Sequence, residues 1–407
     1  MNAPFRPPAI EAWRTGPVAL FAALLLAPGC GGSAGSPTAA GAPVVNNVQP
    51  VQVDLGPAGD YVNGIFTSVT ICMPGTSSCQ TIDDVLVDSG SVGLRLISSR
   101  VTLPLASSTD AGGNVIANCA SFSDNTYAWG PMSNVSVRMA GEQAASVPIQ
   151  LIGAPGLPEV PSDCSSGGTA ADTVSALGAT GVLGIGVFRQ DCGEDCARLL
   201  RPPKIYYACG ASDCAVTSVP VANQLQNPVW LFAQDNNGFL LSLPAVPETG
   251  ARSVAGSLVF GIGTESNNAL GSAQVYTTDD VGDISTTFNG ATVSGYLDTG
   301  TNGLFFLDAS SIALPACPDP DSDFSCPPST ASFTAVNQGN NGVSGPVAFN
   351  VANAETLFDT NNAAFNDLAG PDTGDFAWGL PFFFGRKTFV GIEGQSSPGG
   401  RGPYWAY

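Results

Sequence analysis

The sequence contains no histidine and only two lysines, Lys204 and Lys387. The first absence excludes Ser-His-Asp and Cys-His hydrolases, together with any histidine-liganded zinc site. The second leaves little room for a lysine general base. A hydrolase built from this chain must therefore move protons with carboxylates. Positive charge is scarce altogether: 13 basic residues stand against 33 acidic ones, a formal net charge of −20. Such a field repels phosphate backbones, so no nucleic-acid partner is expected. Heptads and long amphipathic helices are missing as well.

What is present favours strands. Hydrophobic residues make up 44% of the chain and charged residues 11%, enough apolar surface to fold. Gly (49) and Pro (32) are abundant, and the apolar runs are short, among them Gly64–Cys72, Val85–Ile97, Val135–Met139, Val147–Ile152, Leu258–Ile262 and Leu304–Leu307. That pattern predicts an all-β chain of many short strands joined by turns. Asn227–Ala233 fits either a strand or a short helix. At 407 residues there is material for two core-forming units.

The amino-terminal segment reads as targeting, not as fold. Arg6 and Arg14 precede an apolar stretch from Val18 to Ala27, the length of a signal-peptide core and too short to span a bilayer. It runs into Leu26-Ala27-Pro28-Gly29-Cys30, which is similar to a bacterial lipobox, with Ala27 where leucine is usual. The expectation is a signal peptide over 1–29, a lipid anchor at Cys30 and a flexible Gly/Ser/Ala/Pro tether up to residue 49. Ordinary signal cleavage a little downstream is the alternative. Either way the protein is exported to the cell envelope, periplasm or medium, touching a membrane only through the lipid.

Eleven cysteines are present. Assigning Cys30 to lipid leaves ten, enough for five disulfides in an exported chain. Four close pairs suggest themselves, Cys72–Cys79, Cys192–Cys196, Cys209–Cys214 and Cys317–Cys326, and Cys119 and Cys164 remain for each other. Each short loop would contribute about 2–3 kcal/mol.

One similarity repeats within the chain. Val85-Leu86-Val87-Asp88-Ser89-Gly90-Ser91-Val92-Gly93-Leu94 returns as Ser294-Gly295-Tyr296-Leu297-Asp298-Thr299-Gly300-Thr301-Asn302-Gly303-Leu304. In both copies an apolar strand runs into Asp-Ser/Thr-Gly-Ser/Thr-x-Gly-Leu, the mark of two similar lobes with equivalent loops. Two carboxylates at a lobe interface can share one proton, because like charges about 3 Å apart resist joint ionisation. One member then takes a proton from water while the other hydrogen-bonds the carbonyl oxygen under attack. Asp88 and Asp298 are the candidate catalytic pair. Ser89 and Thr299 are placed to brace the loops, and Ser91 and Thr301 to bond the outer carboxylate oxygens. Gly90 and Gly300 allow the tight path that turns amides toward the acids. Asp372-Thr373-Gly374 also contains the tripeptide, but with no apolar strand before it and no Gly-Leu after it; it reads as a turn. Gly31-Gly32-Ser33-Ala34-Gly35 fits a nucleophile-elbow pattern, yet it lies in the tether and no histidine exists to serve it.

From about residue 50 onward the chain resembles the pepsin-like aspartic proteases, closest to a bacterial exported branch of them. Asp88-Ser89-Gly90-Ser91 and Asp298-Thr299-Gly300-Thr301 are similar to the two active-site loops. Thr126-Tyr127-Ala128-Trp129-Gly130 is similar to the flap hairpin, which makes Tyr127 the counterpart of the flap tyrosine. Thr180–Gly186 and Trp378–Lys387 are similar to the elements behind each loop, and Asn227–Trp230 with Gly256–Gly261 to the crossover between lobes. The resemblance implies a bilobal, pseudo-twofold all-β fold with a cleft between lobes 50–245 and 246–407, no cofactor or metal, a peptide or protein substrate, and a monomer. Several positions depart from the pattern. Arg95 stands where many pepsins carry the tryptophan that supports the flap tyrosine, with Trp129 a candidate substitute or an ordinary packed aromatic. Val92 and Asn302 replace a frequent serine, and Pro381 a frequent aspartate. Two functions follow: an aspartic endopeptidase, or a catalytically inert binding or scaffold protein on the same fold.

Overall fold

The computed structural model describes residues 46–122, 124–307, 314–372 and 374–407. The signal segment, Cys30, most of the tether and Thr373 lie outside the described residues. Strands dominate, and the longest helices among the described residues, Glu194–Arg198 and Ala354–Phe358, have five residues each. The architecture is all-β and bilobal.

A large sheet runs through the first lobe and the platform under both lobes. Val48–Asp54 pairs antiparallel with Val254–Phe260, which pairs with Gly238–Ser242, then Lys387–Gly391, then Tyr404–Ala406. The start, middle and end of the described chain thus meet in one layer. The second lobe has its own seven-stranded sheet, which carries Ala291–Leu297, Phe376–Trp378 and Leu304–Leu307 as neighbours. Asn227–Ala233 is resolved in favour of helix, with a single 3₁₀ turn over Val229–Leu231.

The apolar alternation seen in the sequence explains the cores. In Gly64–Cys72 only Ser68 and Thr70 escape burial, and the aliphatic residues join those of Val85–Val87 and Val147–Leu151 inside the first lobe. The second lobe is packed with rings instead. Phe306 stacks on Phe376 at 5.0 Å and Phe376 on Trp378 at 4.2 Å, offset contacts that add to simple burial. The fully buried Trp378 indole donates to Thr286 Oγ1 and Asn337 Oδ1, each at 3.1 Å, so its one polar atom is satisfied.

All five expected disulfides form: Cys72–Cys79, Cys119–Cys164, Cys192–Cys196, Cys209–Cys214 and Cys317–Cys326. Four of them close short excursions of the chain. Cys119–Cys164 spans 45 residues and ties the hairpin Val115–Met139 to the turn Ser162–Ser165.

Candidate active site

The two Asp-containing loops arise from the same local device. In the first lobe, Cys79–Asp88 runs parallel to Gly181–Ile185, and the chain then returns as Val92–Ile97 antiparallel to that same strand. Gly181–Ile185 therefore lies between the two, and residues 88–91 cross over its end. In the second lobe Ala291–Leu297 and Leu304–Leu307 flank Phe376–Trp378 in the same way. The segments around Gly184 and Trp378 back the loops as the resemblance implied. A Cβ on Gly184 would meet Val92 backbone at 2.7 Å, and one on Gly379 the Gly303 carbonyl at 2.1 Å. Both positions require glycine because another backbone passes so close.

The loops grip each other across the lobe interface. The Ser89 amide donates to Thr299 Oγ1 at 3.0 Å, and the Thr299 amide donates to Ser89 Oγ at 3.0 Å. Thr299 Oγ1 donates onward to the Val87 carbonyl at 2.7 Å, and Ser89 Oγ to the Leu297 carbonyl at 3.4 Å. Each hydroxyl thus both accepts and donates, and every partner lies in the opposite lobe.

This grip brings Asp88 and Asp298 together, 1% and 0% exposed. The Gly90 amide donates to Asp88 Oδ1 at 2.8 Å and to Asp298 Oδ1 at 3.0 Å, and the Gly300 amide to Asp298 Oδ1 at 2.8 Å. Ser91 Oγ bonds Asp88 Oδ2 at 2.5 Å, and Thr301 Oγ1 bonds Asp298 Oδ2 at 2.7 Å. A Cβ on Gly90 would lie 2.5 Å from Asp298 Cγ, and one on Gly300 2.9 Å from Asp88 Oδ1. Neither glycine has a positive φ. Both are needed because the opposite carboxyl fills the space a side chain would take.

Burial, the neighbouring charge of Asp88 and a hydrogen bond with it raise the Asp298 pKa well above the ordinary carboxylate value, against the smaller pull of Thr301 and the Gly300 amide.

The chain belongs to the DUF3443 family. That family, described as a protein of unknown function, matches residues 43–407. No curated protein matches the chain. Among solved structures it is similar to the crystal structure of the aspartic proteinase from Irpex lacteus, with 13% identity, a TM-score of 0.48, and coverage of 88% of this chain and 96% of that one.

In this DUF3443 member a buried ion pair lies behind the first loop. Arg95 is 2% exposed, donates through Nη1 to the Val92 carbonyl at 2.7 Å, and pairs with Asp191 at 3.7 Å. Asp191 also accepts from Tyr206 Oη at 2.6 Å and Asn118 Nδ2 at 3.3 Å. Burial pushes the Asp191 carboxyl up to about 6, opposed by Arg95, Tyr206 and Asn118. An ionic and hydrogen-bonded cluster thus occupies the space behind the first loop.

Two hairpin aromatics, Tyr127 and Trp129, share one cluster. Tyr127 pairs with Ser121 across the hairpin, and its half-buried ring packs against the cluster formed by Ala117, Cys119, Trp129, Cys164 and Tyr207. Trp129 meets Tyr207 edge-on at 5.2 Å inside that cluster. An aromatic residue that no motif marks, Tyr61, lies beside the second loop. Its hydroxyl lies 3.4 Å from the Gly300 carbonyl, and burial together with the charges of Asp88, Asp298 and Asp124 raises its pKa. Asn63, fully buried, donates to the Asn302 and Phe365 carbonyls at 2.8 and 3.0 Å, which pins this segment to the second lobe. No motif marks Tyr61 or Asn63, whose partners lie more than 230 residues away. Asp372 ends a short strand, Ala369–Asp372, which the sequence did not anticipate, and then accepts from the Gly374 amide in a turn.

Proposed function

We propose that the chain is an aspartic-type endopeptidase that hydrolyses peptide bonds of an extended substrate bound between its lobes. The observation that carries this is the Gly90 amide shared between the inner oxygens of Asp88 and Asp298. That arrangement aligns two carboxyls around one proton. Asp298, whose ionisation burial and the neighbouring Asp88 charge disfavour, supplies the proton that bonds the scissile carbonyl oxygen. Its partner takes a proton from the attacking water, and a tetrahedral diol forms without a covalent enzyme intermediate. Asp88 then returns its proton to the amide nitrogen while Asp298 takes one back from a diol hydroxyl, so that the C–N bond breaks, the amine leaves, the carboxylic acid forms and the pair is restored. Ser91 and Thr301 hold the outer oxygens, so the carboxyl planes keep their orientation through both transfers.

The test is digestion of a peptide library by the purified protein between about pH 3 and 8. Cleavage should disappear in both Asp88→Asn and Asp298→Asn. Undiminished cleavage by a clean preparation of either variant overturns the proposal.

A second reading, an inert binding or scaffold protein, is favoured by one observation. The rings of Tyr127 and Trp129 pack into the disulfide cluster of the hairpin. Peptide binding without hydrolysis at any pH would support it. Under either function the five disulfides support export, and lipidation at Cys30, a signal peptide over 1–29, lobes at 50–245 and 246–407 and a monomeric state complete the proposal. Among the described residues no helix is long and apolar enough to cross a membrane.

A further inference from the structure

A cavity opens beside the acids where the lobes meet. The first lobe contributes Asp60, Tyr61 and Ser175 to its lining, and the second contributes Asn302, Phe324 and Phe358. It adjoins the second Asp-containing loop through Asn302. Tyr61 hydroxyl is 3.4 Å from the Gly300 carbonyl, and Asn302 follows Asp298 by four positions in the same loop.

Its chemistry is one-sided. Three aromatic rings form the walls: Tyr61 from one lobe, and Phe324 packed edge-to-face on Phe358 at 5.2 Å from the other. Aromatic faces carry partial negative charge and attract cations. Asp60 stands exposed on the lining. Asp124, at the tip of the hairpin, is close enough for its charge to act on the Tyr61 hydroxyl, as are Asp88 and Asp298. None of the residues lining the cavity is basic. Asn302 adds an independent observation. It is 5% exposed, yet its Oδ1 has no hydrogen-bond partner. A buried amide oxygen left unpaired is an acceptor that a cationic donor can satisfy.

We propose that this cavity is a specificity pocket for a basic side chain, lysine or arginine, of the bound peptide. The aliphatic stem lies between Tyr61 and the Phe324–Phe358 pair, and the cationic head meets Asp60 and the Asn302 amide. The proposal rests on the reading of the cleft as a peptide site and names the side chain that it selects.

The experiment is a binding titration, independent of turnover. A non-cleavable reduced-amide peptide is scanned with a single lysine at each position against its uncharged isostere, norleucine. One position should show roughly tenfold tighter binding for lysine, and that preference should vanish in Asp60→Asn and weaken in Asn302→Ala. Restriction to one position separates the pocket from general attraction to an acidic protein, which would tighten binding wherever lysine is placed. Equal binding of lysine and norleucine at every position, or a preference spread evenly along the peptide, overturns the assignment. The same follows if the preference is undiminished in both variants. Lysine-selective binding without cleavage would leave the pocket standing and remove the peptidase. Cleavage with no preference for a basic residue would do the reverse.

Discussion

Ser89 and Thr299 hydrogen-bond each other reciprocally, amide to hydroxyl at 3.0 Å in both directions, across 210 residues of sequence. Nearly inaccessible to water, this pair joins the two lobes at the point where the carboxyls meet. Thr299→Val keeps the shape but removes an oxygen that accepts from the Ser89 amide and donates to the Val87 carbonyl. Leaving those buried groups unpaired should cost about 1–3 kcal/mol each. Urea unfolding should show the loss in Thr299→Val and near-complete recovery in Thr299→Ser. A stability equal to the parent in Thr299→Val would remove the grip as a source of cohesion.

Buried acids set the pH dependence of stability. Burial raises the pKa of Asp298, and brings Asp191 and Asp367 to about 6. An acid whose folded pKa exceeds its unfolded value favours folding least at high pH. Its cost is absent below about pH 4, grows as pH rises, and is complete above the folded pKa. Thermal unfolding should therefore occur at lower temperature at about pH 8 than at about pH 5. Asp367, 2% exposed with Oδ1 unpaired, belongs to neither the Asp88 loop nor the Asp298 loop. Asp367→Asn should flatten the decline by about 1–2 kcal/mol after allowance for solvent screening. A decline as steep as the parent's would contradict this account.

The Arg95–Asp191 pair is enclosed, with side chains 3% and 7% exposed. Removing one charge strands the other, so Asp191→Leu should cost about 3–5 kcal/mol. Replacing both with apolar residues, Arg95→Met with Asp191→Leu, should recover most of that loss. A double-mutant cycle by chemical denaturation measures the coupling. Additive single and double variants would mean that Tyr206 and Asn118 carry Asp191 without help from Arg95.

Among the disulfides, the longest loop should matter most. Cys119–Cys164 closes 45 residues and Cys192–Cys196 only 4. Chain entropy assigns the first about 4 kcal/mol and the second about 2 kcal/mol. Paired Cys→Ser variants, compared by urea unfolding under oxidising conditions, should rank in that order. The reverse ranking would place the contribution of these bridges in packing and not in the unfolded chain.

The sequence by itself determined what is local or repeated. Asp88 and Asp298 stand out because an apolar strand before each and Gly-Leu after it recur, and strands such as Gly64–Cys72 and Leu304–Leu307 show because backbone burial imprints itself on adjacent residues. Four of the disulfides close loops of fewer than ten residues, so proximity in sequence already implied proximity in space. Tertiary structure alone decided the rest. Gly90 is required by the carboxyl of the other lobe, which no feature around Gly90 discloses. Arg95 finds its counter-charge in Asp191, far along the chain, and Tyr61, from a segment without a motif, lies beside the second loop. Trp129 is turned into a cluster around Cys119–Cys164. Gly90 and Tyr61 depend on how the two lobes meet, and Arg95 and Trp129 on how distant segments of the first lobe pack, so each is a property of the packed chain and not of any stretch of residues.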